Sequence, residues 1–129
     1  MKRCIILSRL NKTTREQEAV YGARDQLEGA GHEVTLDGEL DWKGLRANHG
    51  GWNGGYRYVA GAYEALIFIE GSDEHGHFLA KGQTTIAEAA LEKGTRCYVW
   101  RAGIFSRMVG VSVLPDGDWK GAYATAVLG

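Results

Sequence analysis

The sequence predicts an α/β fold: a single-domain, three-layer sandwich built on a mostly parallel sheet of four to five strands. Two kinds of segment carry this expectation. Runs such as Cys4-Ile5-Ile6-Leu7 and Ala65-Leu66-Ile67-Phe68-Ile69 are apolar at every position, as strands covered on both faces are. Between such runs lie segments whose apolar residues recur at helical intervals. Strands separated by helices imply right-handed crossovers that place helices against both faces of one sheet. The 129 residues, 44% hydrophobic and 24% charged, suit one globular domain over the whole chain, 1–129.

In order along the chain, Arg3 to Leu7 reads as a central strand. Thr13 and Glu16 have the spacing of a capping box, and Val20, Ala23, Leu27 and Ala30 follow on one helical face. Gly29 and Gly31 close that helix, and residues 32–36 form a second short strand. Residues 37–55 hold Trp42, Trp52 and the pairs Gly50-Gly51 and Gly54-Gly55 without a clean period. They read as a long loop with a turn of helix, and long loops in compact domains tend to serve function. A helix near residues 56–62 then leads into the buried strand Ala65–Ile69. A polar loop follows, then a helix over 84–93 closed by Gly94, a strand over 96–100, a last strand over 109–114 and a final helix over 118–128.

Several function classes are disfavoured at once. The formal net charge is −1, so no overall basic field draws the protein to polymeric nucleic acid or to an anionic membrane. No apolar run approaches the roughly 18–20 residues of a membrane span. The opening Met1-Lys2-Arg3 and its apolar stretch are interrupted by Ser8-Arg9 too early for a secretory signal. Cys4 and Cys97 sit in apolar runs and read as buried, reduced packing residues, which points to the cytoplasm. No G-x-G-x-x-G follows the first strand, and Gly82-Gln83-Thr84-Thr85 lacks Walker spacing, so no nicotinamide or ATPase cofactor site is expected. No cofactor of any kind is called for. In Asp73-Glu74-His75-Gly76-His77 the His-x-His pair has no distant third ligand, so no metal is expected either.

Parallel sheets bind ligands beyond the carboxyl ends of their strands. The loops expected there are 8–14, 70–85 and 101–107. Residues 81–94 are the most informative, because Gly82, Thr84, Thr85 and Glu88 fall on the first turns of a helix entering the crevice. Free N–H groups at such a start can hold a phosphate or a sugar hydroxyl. The same Thr85-x-x-Glu88 spacing is also that of a capping box.

The stretches Tyr63-Glu64-Ala65-Leu66-Ile67, Thr84-Thr85-Ile86-Ala87-Glu88-Ala89-Ala90 and Lys93-Gly94-Thr95-Arg96-Cys97-Tyr98, with the Leu7-Ser8 strand exit, resemble the nucleoside 2-deoxyribosyltransferase superfamily, which includes 2′-deoxynucleoside 5′-monophosphate N-hydrolase-like proteins. Two departures stand out: Glu64 where that superfamily often has aspartate, and Thr84 four residues before the glutamate where it has glycine. The resemblance implies a Rossmann-like, flavodoxin-like sandwich and cleavage or transfer at the N-glycosidic bond of a 2′-deoxyribonucleoside or its 5′-monophosphate. It implies Glu88 as the catalytic carboxylate, acting as in a retaining glycosidase. Asp73 or Glu74 would be the acid that protonates the departing base. Ser8, Arg9 and Asn11 would line the pocket, Gly82, Thr84 and Thr85 would hold sugar or phosphate oxygens, and Tyr56, Tyr58 or Trp52 would stack on the base. The partner is then a small nucleoside or nucleotide, in a homo-oligomer whose subunits share sites. A second expectation stays open: a nucleotide-binding or nucleotide-sensing module on the same scaffold, without turnover.

Overall fold

The computed structural model describes residues 2–71, 79, 81–101, 103–112 and 123–128. The element order is β1 (Arg3–Leu7), α1 (Thr14–Gly29), β2 (Glu33–Leu36), a 3-10 turn (Asp37–Glu39), α2 (Trp42–His49), α3 (Trp52–Ala62), β3 (Ala65–Ile69), α4 (Lys81–Glu92), β4 (Arg96–Arg101), β5 (Ile104–Ser112) and β6 (Tyr123–Leu128). The strands form one six-stranded sheet in the order β2-β1-β3-β4-β5-β6. The first four run parallel, and β5 and β6 continue the sheet antiparallel.

The continuous apolar runs are central, as their composition requires. Cys4 to Leu7 of β1 and all five residues of β3 are buried. Side chains alternate across a strand, and the core divides accordingly. Ile5, Leu7, Leu66, Phe68, Cys97 and Val99 pack with Val59 and Ala60 of α3 and with Ile86, Ala87 and Ala90 of α4. Cys4, Ile6, Ala65, Ile67 and Ile69 pack with Val20, Ala23 and Leu27 of α1. Each fully buried aliphatic or Phe side chain contributes about 1.5–3 kcal/mol relative to exposure.

Local chemistry sets the helix ends. The Thr13–Glu16 capping box forms as its spacing predicts: Glu16 N–H donates to Thr13 Oγ1 at 3.1 Å, and Thr13 N–H donates to Glu16 Oε1 at 3.1 Å. Asp41 caps α2 by accepting the Gly44 N–H at 3.1 Å. Gly50, at φ +79°, ends α2 in the left-handed conformation that favours glycine, and the chain turns directly into α3.

The sheet corrects several expectations. It has six strands and is mixed, because Gly103, at φ +80°, turns the chain straight back after β4. The loop expected over 101–107 is, in its described part, a tight return and the start of β5, and that strand runs from 104, not 109. The final helix expected over 118–128 is absent from its described part. Tyr123–Leu128 is the edge strand β6, where Tyr, Thr and Val favour a pleated surface despite the alanines between them. Residues 37–55 hold α2 and the start of α3, not a long loop. The signal is weak there because α2 has no buried residue and the glycine pairs 50–51 and 54–55 imitate turns. Helix α4 begins at Lys81, three residues before the expected start.

No helix among the described residues is long and apolar enough to cross a membrane. Cys4 and Cys97 are buried free thiols. Burial pushes the Cys97 thiol up to about 12. Cys4 is raised by the same cause, with Glu64 adding to the rise and Lys2 opposing it. Thiols so raised are poor nucleophiles.

Candidate functional site

The chain leaves β1 for β2 on one side and later returns to place β3 on the other. The carboxyl ends of β1 and β3 therefore diverge at a topological switch point, where open α/β sheets form a ligand crevice. Here the crevice is a cleft of about 380 Å³, within the usual range for small-molecule sites. Its floor is Leu7 at the end of β1 with Gln83 and Ile86 of α4. Gln83 is buried, and its Nε2 donates to Leu7 O at 2.8 Å and Ile69 O at 3.2 Å. One amide thus closes the gap between the last residues of the two strands.

One wall is polar. Ser8, Arg9 and Lys12 leave β1, and Asp37 stands immediately beyond β2. The Asp37 carboxylate accepts the Ser8 N–H at 3.0 Å on Oδ2 and the Ser8 hydroxyl at 3.4 Å on Oδ1. Burial pushes the Asp37 carboxyl above the usual carboxylate range, opposed by the Ser8 and Gly38 hydrogen bonds and by Lys12. Lys12 Nζ donates to the Arg9 carbonyl at 2.9 Å. Burial pulls the Arg9 guanidinium below its ordinary value, with Glu16 opposing.

The other wall is aromatic. Trp42 of α2 with Trp52 and Tyr56 of α3 form a triangle with ring centroids 5.6 to 6.0 Å apart. Trp42 Nε1 donates to the Asp37 carbonyl at 2.9 Å, tying this wall to the polar one. The Arg46 guanidinium lies 4.3 Å from the Trp52 ring centroid, a cation–π contact. Tyr56 is raised by burial, with Arg46 opposing. Where the walls meet α4, a Cβ on Gly82 would come within 2.9 Å of the Tyr56 hydroxyl, so glycine leaves room for that ring.

Of the residues singled out from sequence, Ser8, Arg9, Gly82, Tyr56 and Trp52 line the cleft. The others do not. Asn11 is exposed and outside the lining. Thr84 is fully buried in the protein interior and Thr85 is half-buried, neither at the cleft. Tyr58 is exposed and stacks on His49, with centroids 4.4 Å apart. Glu88 is solvent-exposed and is not a lining residue. Because α4 begins at Lys81, Gln83 and Ile86 face the cleft, and Glu88 lies about 140° around the helix from Gln83. The same early start puts Thr85 inside the helix, so the Thr85–Glu88 spacing does not mark its cap. Asp73, Glu74, His75 and His77 lie outside the described residues.

Sequence reasoning missed Asp37, Trp42, Lys12 and Ile86 as cleft residues and gave Gln83 no role. A usable signal existed for Asp37, since an acid just beyond the second strand of an α/β sheet stands at the edge of the switch-point crevice. Among the described residues no group of three His, Cys, Asp or Glu side chains could hold a metal ion.

Fold and cleft together define an α/β protein with a small-molecule-sized crevice, aromatic on one side and polar on the other. No protein-family model matches the chain, and no curated protein does.

Proposed function

We propose that the chain is a nucleotide-binding module on a Rossmann-like, three-layer scaffold, holding its ligand in the cleft at the β1–β3 switch point. The observation that supports this most is the pairing of walls across one cleft: Trp42, Trp52 and Tyr56 face Ser8, Arg9, Lys12 and Asp37. Aromatic rings accept any nucleobase by stacking. Arg9 and Lys12 suit the anionic end of the ligand. The core clusters on both faces of the parallel strands support the layered scaffold.

A second reading, cleavage or transfer at an N-glycosidic bond, rests on the sequence resemblance and on one observation. A carboxyl group with a raised pKa, Asp37, lines the cleft and could protonate a departing base. The binding reading is preferred because Glu88, the carboxylate the resemblance nominates, stands outside the cleft.

Calorimetric titration with nucleosides and their 5′-monophosphates tests the first reading, with chromatography of the same mixtures for free base. Saturable binding without base release is expected. Trp52→Ala should weaken it roughly 5- to 100-fold, the worth of one stacking contact. Absence of binding across the panel overturns the reading, and base release replaces it with the second.

A further inference from the structure

The polar wall contains one detail that a generic nucleotide cleft does not need. Asp37 is held at both ends: its backbone carbonyl accepts the Trp42 indole N–H at 2.9 Å, and its carboxylate is anchored on Ser8 of the same wall. A carboxylate only accepts hydrogen bonds and offers about four lone-pair directions. Ser8 N–H, Ser8 Oγ and the Gly38 N–H occupy up to three of them, which leaves capacity for a ligand donor. No other carboxylate lines the cleft among the described residues.

Three kinds of donor could meet it: a cation, an amine on the base, or a sugar hydroxyl. A cation is disfavoured, because Arg9 and Lys12 already line the same wall and Arg46 already sits against the Trp52 ring. A base held on the aromatic wall and an anionic end at Arg9 and Lys12 leave the sugar as the part between them. Asp37 belongs to neither group and stands at the tip of β2, the place from which an acidic side chain reads ribose hydroxyls in open α/β sheets.

We propose that Asp37 is the sugar-reading residue of this cleft, its carboxylate oriented by Ser8 to accept a hydroxyl of a ribose diol, so that the cleft selects ribonucleotides over 2′-deoxyribonucleotides. The proposal rests on the nucleotide-binding reading, and it departs from the deoxyribose that the sequence resemblance implies. This half-buried acceptor keeps its Ser8 bonds but loses one partner to a ligand that lacks the hydroxyl, which is how such a site discriminates.

The test is calorimetric titration with adenosine, cytidine and uridine 5′-monophosphates, each beside its 2′-deoxy form, on wild type, Asp37→Asn and Ser8→Ala. Wild type should bind each ribonucleotide roughly 10- to 100-fold more tightly than its 2′-deoxy partner, as for a hydrogen bond to a charged group. Asp37→Asn should bring the pair to within about threefold by weakening the ribonucleotide alone, and Ser8→Ala should narrow the gap partway. Ser8→Ala keeps the test open if Asp37→Asn does not fold. Equal affinity for both sugars, or a preference for the deoxy form, overturns the proposal while leaving nucleotide binding intact. A preference that follows the amino group of adenine and cytosine and ignores the sugar overturns it too. Absence of binding by every nucleotide overturns the underlying reading, and this one with it.

Discussion

The two walls of the cleft are built in opposite ways. The polar wall grows out of β1, whose residues from Cys4 to Leu7 are buried, and Asp37 is tied to it by directional hydrogen bonds. The aromatic wall grows out of α2 and α3; α2 buries no residue, and Trp52 remains 48% exposed. Trp42 and Tyr56 are partly buried against the core, and the three rings lean on one another at centroid separations of 5.6 to 6.0 Å. Hydrogen bonds fix donor and acceptor positions, whereas a ring face tolerates any flat partner. The polar wall is therefore suited to discriminate and the aromatic wall to hold. Trp52→Ala should weaken all nucleotides alike, while Asp37→Asn should weaken only ribonucleotides.

The largest effect is expected where both walls meet the floor. Gln83→Leu keeps the bulk but removes the amide that donates to Leu7 O and Ile69 O. Two strand-end carbonyls at a buried junction lose a donor, and an unsatisfied buried group costs about 1–3 kcal/mol. Urea unfolding should show a loss of that size with an unchanged slope, together with weaker nucleotide binding. If stability is unchanged, the amide is not what closes the β1–β3 gap.

A smaller effect separates the walls by pH. Because burial raises the Asp37 carboxyl above its unfolded value, the folded state binds this proton more tightly than the unfolded chain does. Its contribution to stability is therefore fully present below the unfolded pKa. It is lost as pH rises through the folded pKa. Lys12, which opposes the rise, belongs to the same wall. Denaturation measured across the acid range should show this fall in wild type and a flatter profile in Asp37→Asn. The Trp52→Ala profile should keep the fall. A profile for Asp37→Asn that parallels wild type would mean that another group carries the titration.

The walls also differ in how far they were legible beforehand. β1, β3 and β4 were readable because continuous apolar runs have few other homes, and the first βα junction was readable from Thr13 and Glu16. Ser8 and Arg9 followed from the exit of β1. For Asp37 the usable signal is its place just beyond β2, whereas its pairing with Ser8, 29 residues away, has no local spacing to mark it. Trp52 and Tyr56 stand out by their chemistry, whereas Trp42 lies in a stretch whose glycines mimic a loop. The antiparallel return of β5 on β4 has little local signal, because it turns on one left-handed glycine, Gly103.

The smallest effect is the most pointed for α4. The resemblance and an expected start at 84 point to Glu88, whereas Gln83 and Ile86, one turn apart, are the residues at the cleft. Glu88→Gln changes the charge of an exposed side chain and nothing in the cleft lining. Stability should move by less than about 0.5 kcal/mol, as exposed substitutions do. Nucleotide affinity should stay within about twofold of wild type, a difference of only about 0.4 kcal/mol. Should Glu88→Gln abolish a base-releasing activity of the wild-type protein, the exposed carboxylate would be the reacting group. The chemistry would then lie on the outer face of α4, and neither wall of the cleft would carry it.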